Sequence, residues 1–132
     1  MEHLTEERFV RSFIRKRYQK RLLYELTTPG KRYKGLTRFC HQSDELLEPS
    51  KILAKDRDAY SSTQLGDLVG EQGGTCLILS PDPAADGQLL PLKEAAEYAA
   101  RSLDAVIILG DGYALVFGEP MRGGREIYLL SE

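Results

Sequence analysis

The run AVIILGDGYALVF, from Ala105 to Phe117, contains the strongest structural signal in this sequence. Five apolar residues precede Gly110-Asp111-Gly112, and five large or apolar residues follow. β-Branched and aromatic side chains favour strands, and an Asp-Gly pair between two such runs is typical of a tight hairpin. We therefore predict two antiparallel strands, 105–109 and 113–117.

The flanking sequence extends this hairpin into a sheet. The short apolar run 75–80 predicts a strand that is covered on both faces, and 125–130 predicts a last strand after a turn at 118–124. Pro91 predicts the start of a helix, whose apolar stripe is Leu92, Ala95, Ala96, Ala99 and Leu103. A helix between two strands favours a crossover that joins parallel strands. Residues 75–130 are thus predicted to form a β-α-β-β-β sheet core.

Residues 5–26 predict one long basic amphipathic helix. Thr5 is a suitable N-cap, and neither Gly nor Pro occurs before Pro29-Gly30. One broad face is predicted to be apolar, with members Val10, Phe13, Ile14, Tyr18 and Tyr24. Arg17 and Arg21 fall on that same face. They would either pair with carboxylates of this chain or face a partner, and the sequence leaves both open.

The middle of the chain has weaker signals. Residues 31–40 are interpreted as a strand or an extended loop, 43–47 as one helical turn, 51–56 as a short strand or turn, and 62–69 as a short helix. In total we predict one domain over 1–132 with an α/β (α+β) fold. A long N-terminal helix and a second helix would pack on a mixed sheet of about four to five strands that ends in an antiparallel meander.

Charge is distributed unevenly along the chain. The 132 residues include 18 Lys and Arg against 20 Asp and Glu, and 42% of them are hydrophobic, which excludes a disordered or collagen-like chain. Residues 1–40 carry eleven basic and four acidic side chains, whereas the other 92 carry seven and sixteen. The basic segment either packs against the acidic remainder or stays available to a partner.

Few residues offer catalytic or metal chemistry. The two Cys and two His residues lack metal-binding spacing, so we predict free thiols, no metal and no cofactor. The glycine-rich segments lack the Lys and Ser or Thr of a phosphate loop and are interpreted as turns. Asp111 and Glu119 form only a generic acid pair, and a histidine base would have to be His3 or His41. We assign no catalytic residue, and a small enzyme with an unidentified site is the third functional hypothesis.

The basic segment remains the best candidate for function. We predict a non-enzymatic protein that binds another protein, as an adaptor, inhibitor or immunity protein does. The predicted binding residues are Arg8, Arg11, Arg15, Lys16, Arg17, Lys20, Arg21, Lys31, Arg32 and Lys34. A nucleic-acid-binding domain using the same residues is the alternative.

Two further expectations concern location and self-association. The longest apolar run is too short to cross a membrane, so we expect a cytoplasmic protein with no membrane partner. A homodimer could form through strand 125–130 if that strand lies at a sheet edge.

Overall fold

The computed structural model describes residues 4–56, 75–101, 105–110, 112–118 and 127–132. The helices in this part of the chain are α1 (Leu4–Phe13), α2 (Lys16–Thr27), α3 (Arg32–His41), α4 (Ser43–Leu46) and α5 (Leu92–Arg101), with a 3₁₀ turn at Pro49–Lys51. The strands are β1 (Ile52–Asp56), β2 (Thr75–Leu79), β3 (Leu89–Pro91), β4 (Ala105–Gly110), β5 (Tyr113–Phe117) and β6 (Ile127–Ser131).

The six described strands form one sheet in the order β1-β6-β5-β4-β2-β3. The predicted hairpin is confirmed, because β4 and β5 pair antiparallel from Ala105↔Phe117 to Gly110↔Tyr113. Gly112 in its turn has a φ of +81°, a conformation that glycine adopts without strain. The α+β class is confirmed, but all five pairings are antiparallel, so the prediction of a mixed sheet is wrong for the described strands.

The predicted parallel crossover from 75–80 to 105–109 fails because of strand β3. Residues 89–91 add a three-residue strand that pairs antiparallel with β2 before α5 begins. Strand β4 also pairs antiparallel with β2, on its other side. Strands β3 and β4 consequently run in the same direction, and α5 connects them with β2 in between. The crossover helix exists, but its first strand is β3.

The sheet is buried on both faces. Alternate residues of β4, β5 and β6, such as Val106, Val116 and Tyr128, pack with the core residues of α1, α2 and α3. Their neighbours, such as Ile107 and Leu115, pack in a second cluster with Ala95 of α5. Because both faces of these three central strands are covered by a core cluster, their sequences are nearly continuous apolar runs.

The prediction of one uninterrupted helix over 5–26 is wrong at residues 14–15. Arg15 has an extended backbone, with φ −55° and ψ 136°. The carbonyl of Phe13 accepts a hydrogen bond from Glu48 N (2.8 Å), and Arg15 N donates to the carbonyl of Leu46 (2.8 Å). Ile14 forms a β-bridge with Leu47. Backbone groups of the distant segment 46–48 thus take the place of helical hydrogen-bond partners at this point. The side chains of α2 therefore do not continue the helical periodicity of α1.

The interpretation of 31–40 as a strand or extended loop is also wrong. This segment forms α3, which buries Leu36, Phe39 and Cys40 and exposes Lys34 and Thr37. The helical turn predicted at 43–47 and the strand predicted at 51–56 correspond to α4 and β1. The helix predicted at 62–69 and most of the turn predicted at 118–124 lie outside the described residues.

The last strand is not at a sheet edge. Strand β6 pairs with β5 on one side and with β1 on the other. Its backbone hydrogen-bonding groups are therefore already used along the strand, and the predicted homodimer through 125–130 is excluded as an edge-to-edge pairing.

Candidate binding face on the helical hairpin

The ten predicted binding residues divide into two groups by their contacts. Four of them are occupied by groups of the same molecule: Arg8, Arg11, Arg15 and Arg32. The other six lie exposed on α2 and at the start of α3: Lys16, Arg17, Lys20, Arg21, Lys31 and Lys34.

Arg8 connects α1 to the residue after β6. Its Nε donates to Glu132 Oε1 (2.8 Å) and its Nη2 to Glu132 Oε2 (2.9 Å). Ser12 Oγ donates to the same carboxylate at 3.1 Å. These contacts, above all the hydrogen bond from Arg8, hold the pKa of Glu132 below its ordinary value. Arg8 is therefore engaged within the molecule in spite of its exposure.

Arg32 lies in a mostly buried ionic cluster. It forms ion pairs with Glu6 of α1 and with Asp86 of the turn after β2. Its Nη1 also donates to the Leu26 carbonyl (2.9 Å), and its Nη2 to Asp86 Oδ1 (3.0 Å). The hydrogen bond to Asp86 is the largest of the contacts that raise the pKa of Arg32. This guanidinium links three parts of the chain through its hydrogen bonds and ion pairs. Few of its N–H groups therefore remain to bind a partner.

The other two occupied arginines, Arg15 and Arg11, are held by fewer contacts than Arg8 and Arg32. Arg15 is half-buried, and its Nε donates to the Leu47 carbonyl at 3.0 Å. Arg11 pairs with Glu7, one turn earlier on α1, through an exposed 2.9 Å contact. Such exposed pairs contribute little to stability, so Arg11 can exchange its partner at small cost.

The six exposed cations have few acidic neighbours. Among the described residues, no carboxylate forms an ion pair with Lys16, Lys20, Lys31 or Lys34. Arg17 lies over the ring of Tyr18, 4.8 Å from its centroid. We call the exposed side of α2 and α3 that carries the six cations the hairpin face.

Glu25 is the single acidic residue between positions 16 and 41. Its carboxylate forms ion pairs with basic side chains of α2 and α3. Its Oε1 lies 2.6 Å from Nη2 of the half-buried Arg38 and 4.0 Å from Nε of Arg21. Gly35 permits this close approach, since a Cβ there would lie 2.8 Å from the Cβ of Glu25. This pair was not among the predicted residues, because no local pattern links positions 25 and 38.

Two tyrosines accompany these cations. Tyr24 on α2 is 56% exposed and Tyr33 on α3 is 64% exposed. The sequence predicted Tyr24 on the apolar face of a continuous helix, together with Arg17 and Arg21. The break at 14–15 rotates α2 relative to α1, and all three side chains consequently face solvent. Tyrosine and arginine are both enriched at protein–protein interfaces.

An open groove of about 440 Å³ runs between α1 and α2. Val10, Leu23 and Tyr24 supply its apolar lining, and Gln19 and Thr27 supply polar groups. The cations on its walls are Arg11, Lys16 and Lys20, and none of the described residues that line it is acidic. The groove therefore joins an apolar surface to one end of the hairpin face.

The described residues offer little that resembles a catalytic centre. No group of three His, Cys, Asp or Glu side chains in these ranges is arranged to hold a metal ion. Cys40 and Cys76 are buried in different core clusters, and burial raises the pKa of the Cys76 thiol. His41 is exposed at the end of α3. The acids Asp111 and Glu119 lie outside the described residues.

Comparison with known proteins yields no relative from which a role could be transferred. The sequence matches no protein-family model, and no match was found among curated proteins or solved structures. In the part of the chain that the structure describes, no helix has the length and apolar character to cross a membrane.

Proposed function

We propose that this chain is a binding module whose hairpin face recognises an acidic surface on another protein. The observation that carries the proposal is the placement of charge at two helix starts. The first turn of α2 contains Lys16 and Arg17, the first turn of α3 contains Arg32 and Lys34, and neither contains an acidic residue. Arg32 is neutralised by its carboxylates, but the other three are exposed.

This placement opposes helix stability. The N-terminal end of a helix carries a partial positive charge, so a cation there costs about 0.3–1 kcal/mol. Local rules of this kind are broken most often where a protein carries out its function. The helix ends and the side chains add to one positive potential, which attracts a negatively charged partner and orients it on approach.

The extent of the face favours a protein partner. Acidic groups lie at its borders, since Glu7 pairs with Arg11 and Glu45 accepts a hydrogen bond from Tyr18 (2.9 Å). The whole chain has a net charge of −2. A limited acidic patch of a protein fits such a bounded area, whereas a long polyanion would continue onto negatively charged surface.

Nucleic-acid binding is the second candidate, and one observation favours it. Tyr24 and Tyr33 stand exposed among the lysines, and bases stack on exposed aromatic side chains in proteins that bind single strands. Its expected signature is a steep loss of affinity as salt rises, because phosphate contacts release counterions.

The test compares Lys16→Glu with Lys93→Glu. Both lysines are exposed in the first turn of a helix, but Lys93 belongs to α5 on the other side of the sheet. Lys16→Glu should raise the free energy of unfolding by about 0.5 kcal/mol, because it places an acid where the helix dipole favours one and one turn before Lys20. Lys93→Glu has the same favourable position but lies one turn before Glu97, so its net effect on stability should be close to zero. Only Lys16→Glu should weaken binding of a labelled polyglutamate peptide, by about tenfold.

Fluorescence anisotropy with two probes separates the candidates. The probes are the polyglutamate peptide and a single-stranded RNA of the same total charge, each titrated at low and at physiological salt. Tighter binding of the peptide, with selective loss in Lys16→Glu, supports the proposal. Tighter binding of the RNA overturns it in favour of nucleic-acid binding. No binding of either probe at low salt removes the hairpin face as a site.

A further inference from the structure

We infer that the groove between α1 and α2 receives a large apolar side chain from an acidic segment of the partner. This inference rests on the proposed function and specifies the partner. The recognised element would be a short stretch of chain in which one large apolar residue, such as Phe or Leu, is flanked by Asp or Glu.

The groove owes its shape to the break at residues 14–15. Because α2 starts in a new direction after Arg15, its residues Leu23 and Tyr24 lie beside Val10 of α1. Gln19 closes the exposed end of α1, since its Nε2 donates to the Ile14 carbonyl (2.9 Å) and the Arg11 carbonyl (3.4 Å). The polar groups at this point are therefore satisfied within the chain, and the groove needs no polar ligand atom there.

The lining requires an apolar group from the ligand. Val10 is fully buried and forms the floor of the groove without exposing surface of its own, while the half-buried Leu23, which packs against the same core cluster, supplies apolar surface. Tyr24 adds a ring that is 56% exposed. A volume of about 440 Å³ is within the range of sites that bind small ligands or side-chain anchors. Burying an aromatic or aliphatic anchor there would remove apolar surface of both molecules from water.

The walls require negative charge next to that anchor. Lys16 and Lys20 line the groove without an ion-pair partner among the described residues, and Arg11 can leave its exposed pair with Glu7. The described part of the same lining contains no carboxylate. A purely apolar ligand would leave these cations without compensation, and a purely acidic one would leave the apolar lining in water. An apolar residue between acids meets both requirements.

The experiment uses two synthetic acidic peptides that differ at one position. One has Phe at its centre and the other has Ala, and all flanking residues are Glu in both. The Phe peptide should bind the full chain about tenfold more tightly than the Ala peptide, as expected for one buried aromatic anchor. Isothermal titration calorimetry measures both affinities in the same buffer.

Matched variants locate the anchor. Tyr24→Ala should abolish the advantage of the Phe peptide, whereas Tyr33→Ala, which removes a similarly exposed ring outside the groove, should preserve it. Both substitutions introduce a good helix former at an exposed position, and equal thermal unfolding would verify that both variants fold. Lys16→Glu and Lys34→Glu form a second pair, of which the first should weaken the Phe peptide more.

The outcomes distinguish this inference from the proposed function. If the two peptides bind equally and Lys16→Glu weakens both, the groove is not the site of an apolar anchor, and the proposal that the hairpin face binds an acidic partner stands. An advantage of the Phe peptide that survives Tyr24→Ala places the anchor elsewhere and also overturns the groove. Failure of both peptides to bind rejects the proposed function itself.

Discussion

Arg32 fastens three separate parts of the chain through one guanidinium group. Its carboxylate partners, Glu6 and Asp86, come from α1 and from the turn after β2. Glu6 is 4% exposed, so it needs this cation to compensate for its lost hydration. Arg8 has a related function at the surface, where it binds Glu132. These two residues show how an arginine-rich segment can serve the fold in some positions and remain available in others.

The first prediction concerns the buried cluster. Arg32→Met should lower the free energy of unfolding by about 3 kcal/mol, because it removes the guanidinium that two poorly solvated carboxylates share. Urea denaturation monitored by circular dichroism measures the change. Adding Glu6→Gln and Asp86→Asn to Arg32→Met should recover part of the loss. A single variant within about 0.5 kcal/mol of the native protein would contradict this account of the cluster.

The second prediction concerns pH and the pair between Arg8 and Glu132. The folded state lowers the pKa of Glu132 below its ordinary value of 4.5. Its contribution to stability is therefore complete above that value and disappears as the pH falls through the lowered pKa. Glu132→Gln should reduce Tm only slightly at neutral pH, because the pair is exposed to solvent, and should have no effect in acid. A difference in Tm that stays constant from neutral to acidic pH would show that the pair does not stabilise the fold.

At the scale of elements, α2 and α3 approach each other closely at Gly35. The absence of a side chain there lets Glu25 lie against α3 and pair with Arg38. The hairpin face depends on this contact for two reasons. The contact neutralises the single acidic side chain of the two helices, and it fixes the position of α2 relative to α3.

The third prediction reverses the usual effect of Gly→Ala in a helix. At an ordinary helical position the change stabilises by about 0.5–1 kcal/mol. At Gly35 the new Cβ would lie 2.8 Å from the Cβ of Glu25, and forcing the helices apart typically costs about 1–3 kcal/mol. Gly35→Ala should therefore be destabilising, whereas Thr37→Ala, at an exposed position of the same helix, should be slightly stabilising. Thermal unfolding of both variants decides the sign.

Elements that depend on neighbouring residues could be predicted from the sequence. The hairpin around Gly112 follows from its turn residues and its apolar runs. The break between α1 and α2 could not be predicted, because no Gly or Pro marks it and its hydrogen bonds come from residues 46–48. Strand β3 was missed for a related reason, since three residues carry too little pattern to be distinguished from a loop.

The same distinction applies to the candidate site. The basic segment is evident from the charge count, but the sequence does not tell which cations are occupied. Glu132 and Asp86 reach Arg8 and Arg32 only in the folded chain. The exposure of Tyr24 and Arg21 depends on the rotation of α2 after the break, which in turn depends on a contact between distant segments.

At the scale of the whole molecule, the positive charge of α2 and α3 is separated from the acidic remainder of the chain. The α2–α3 segment, residues 16–41, has eight basic and one acidic side chain, in a chain with a net charge of −2. The hairpin face lies on the helical layer formed by α1, α2 and α3, whereas α5 packs on the other side of the sheet. Such a separation orients the molecule as it approaches a charged partner, and raising the salt concentration weakens this effect.

Mapping by nuclear magnetic resonance tests the central claim most directly. A labelled sample of the full chain is titrated with the acidic Phe peptide, and backbone amide shifts are recorded. We predict that the largest shifts fall on α2 and at the start of α3, between Lys16 and Lys34, and that those of α5 stay unchanged. Largest shifts on α5 or on the edge strands β1 and β3 would contradict the account.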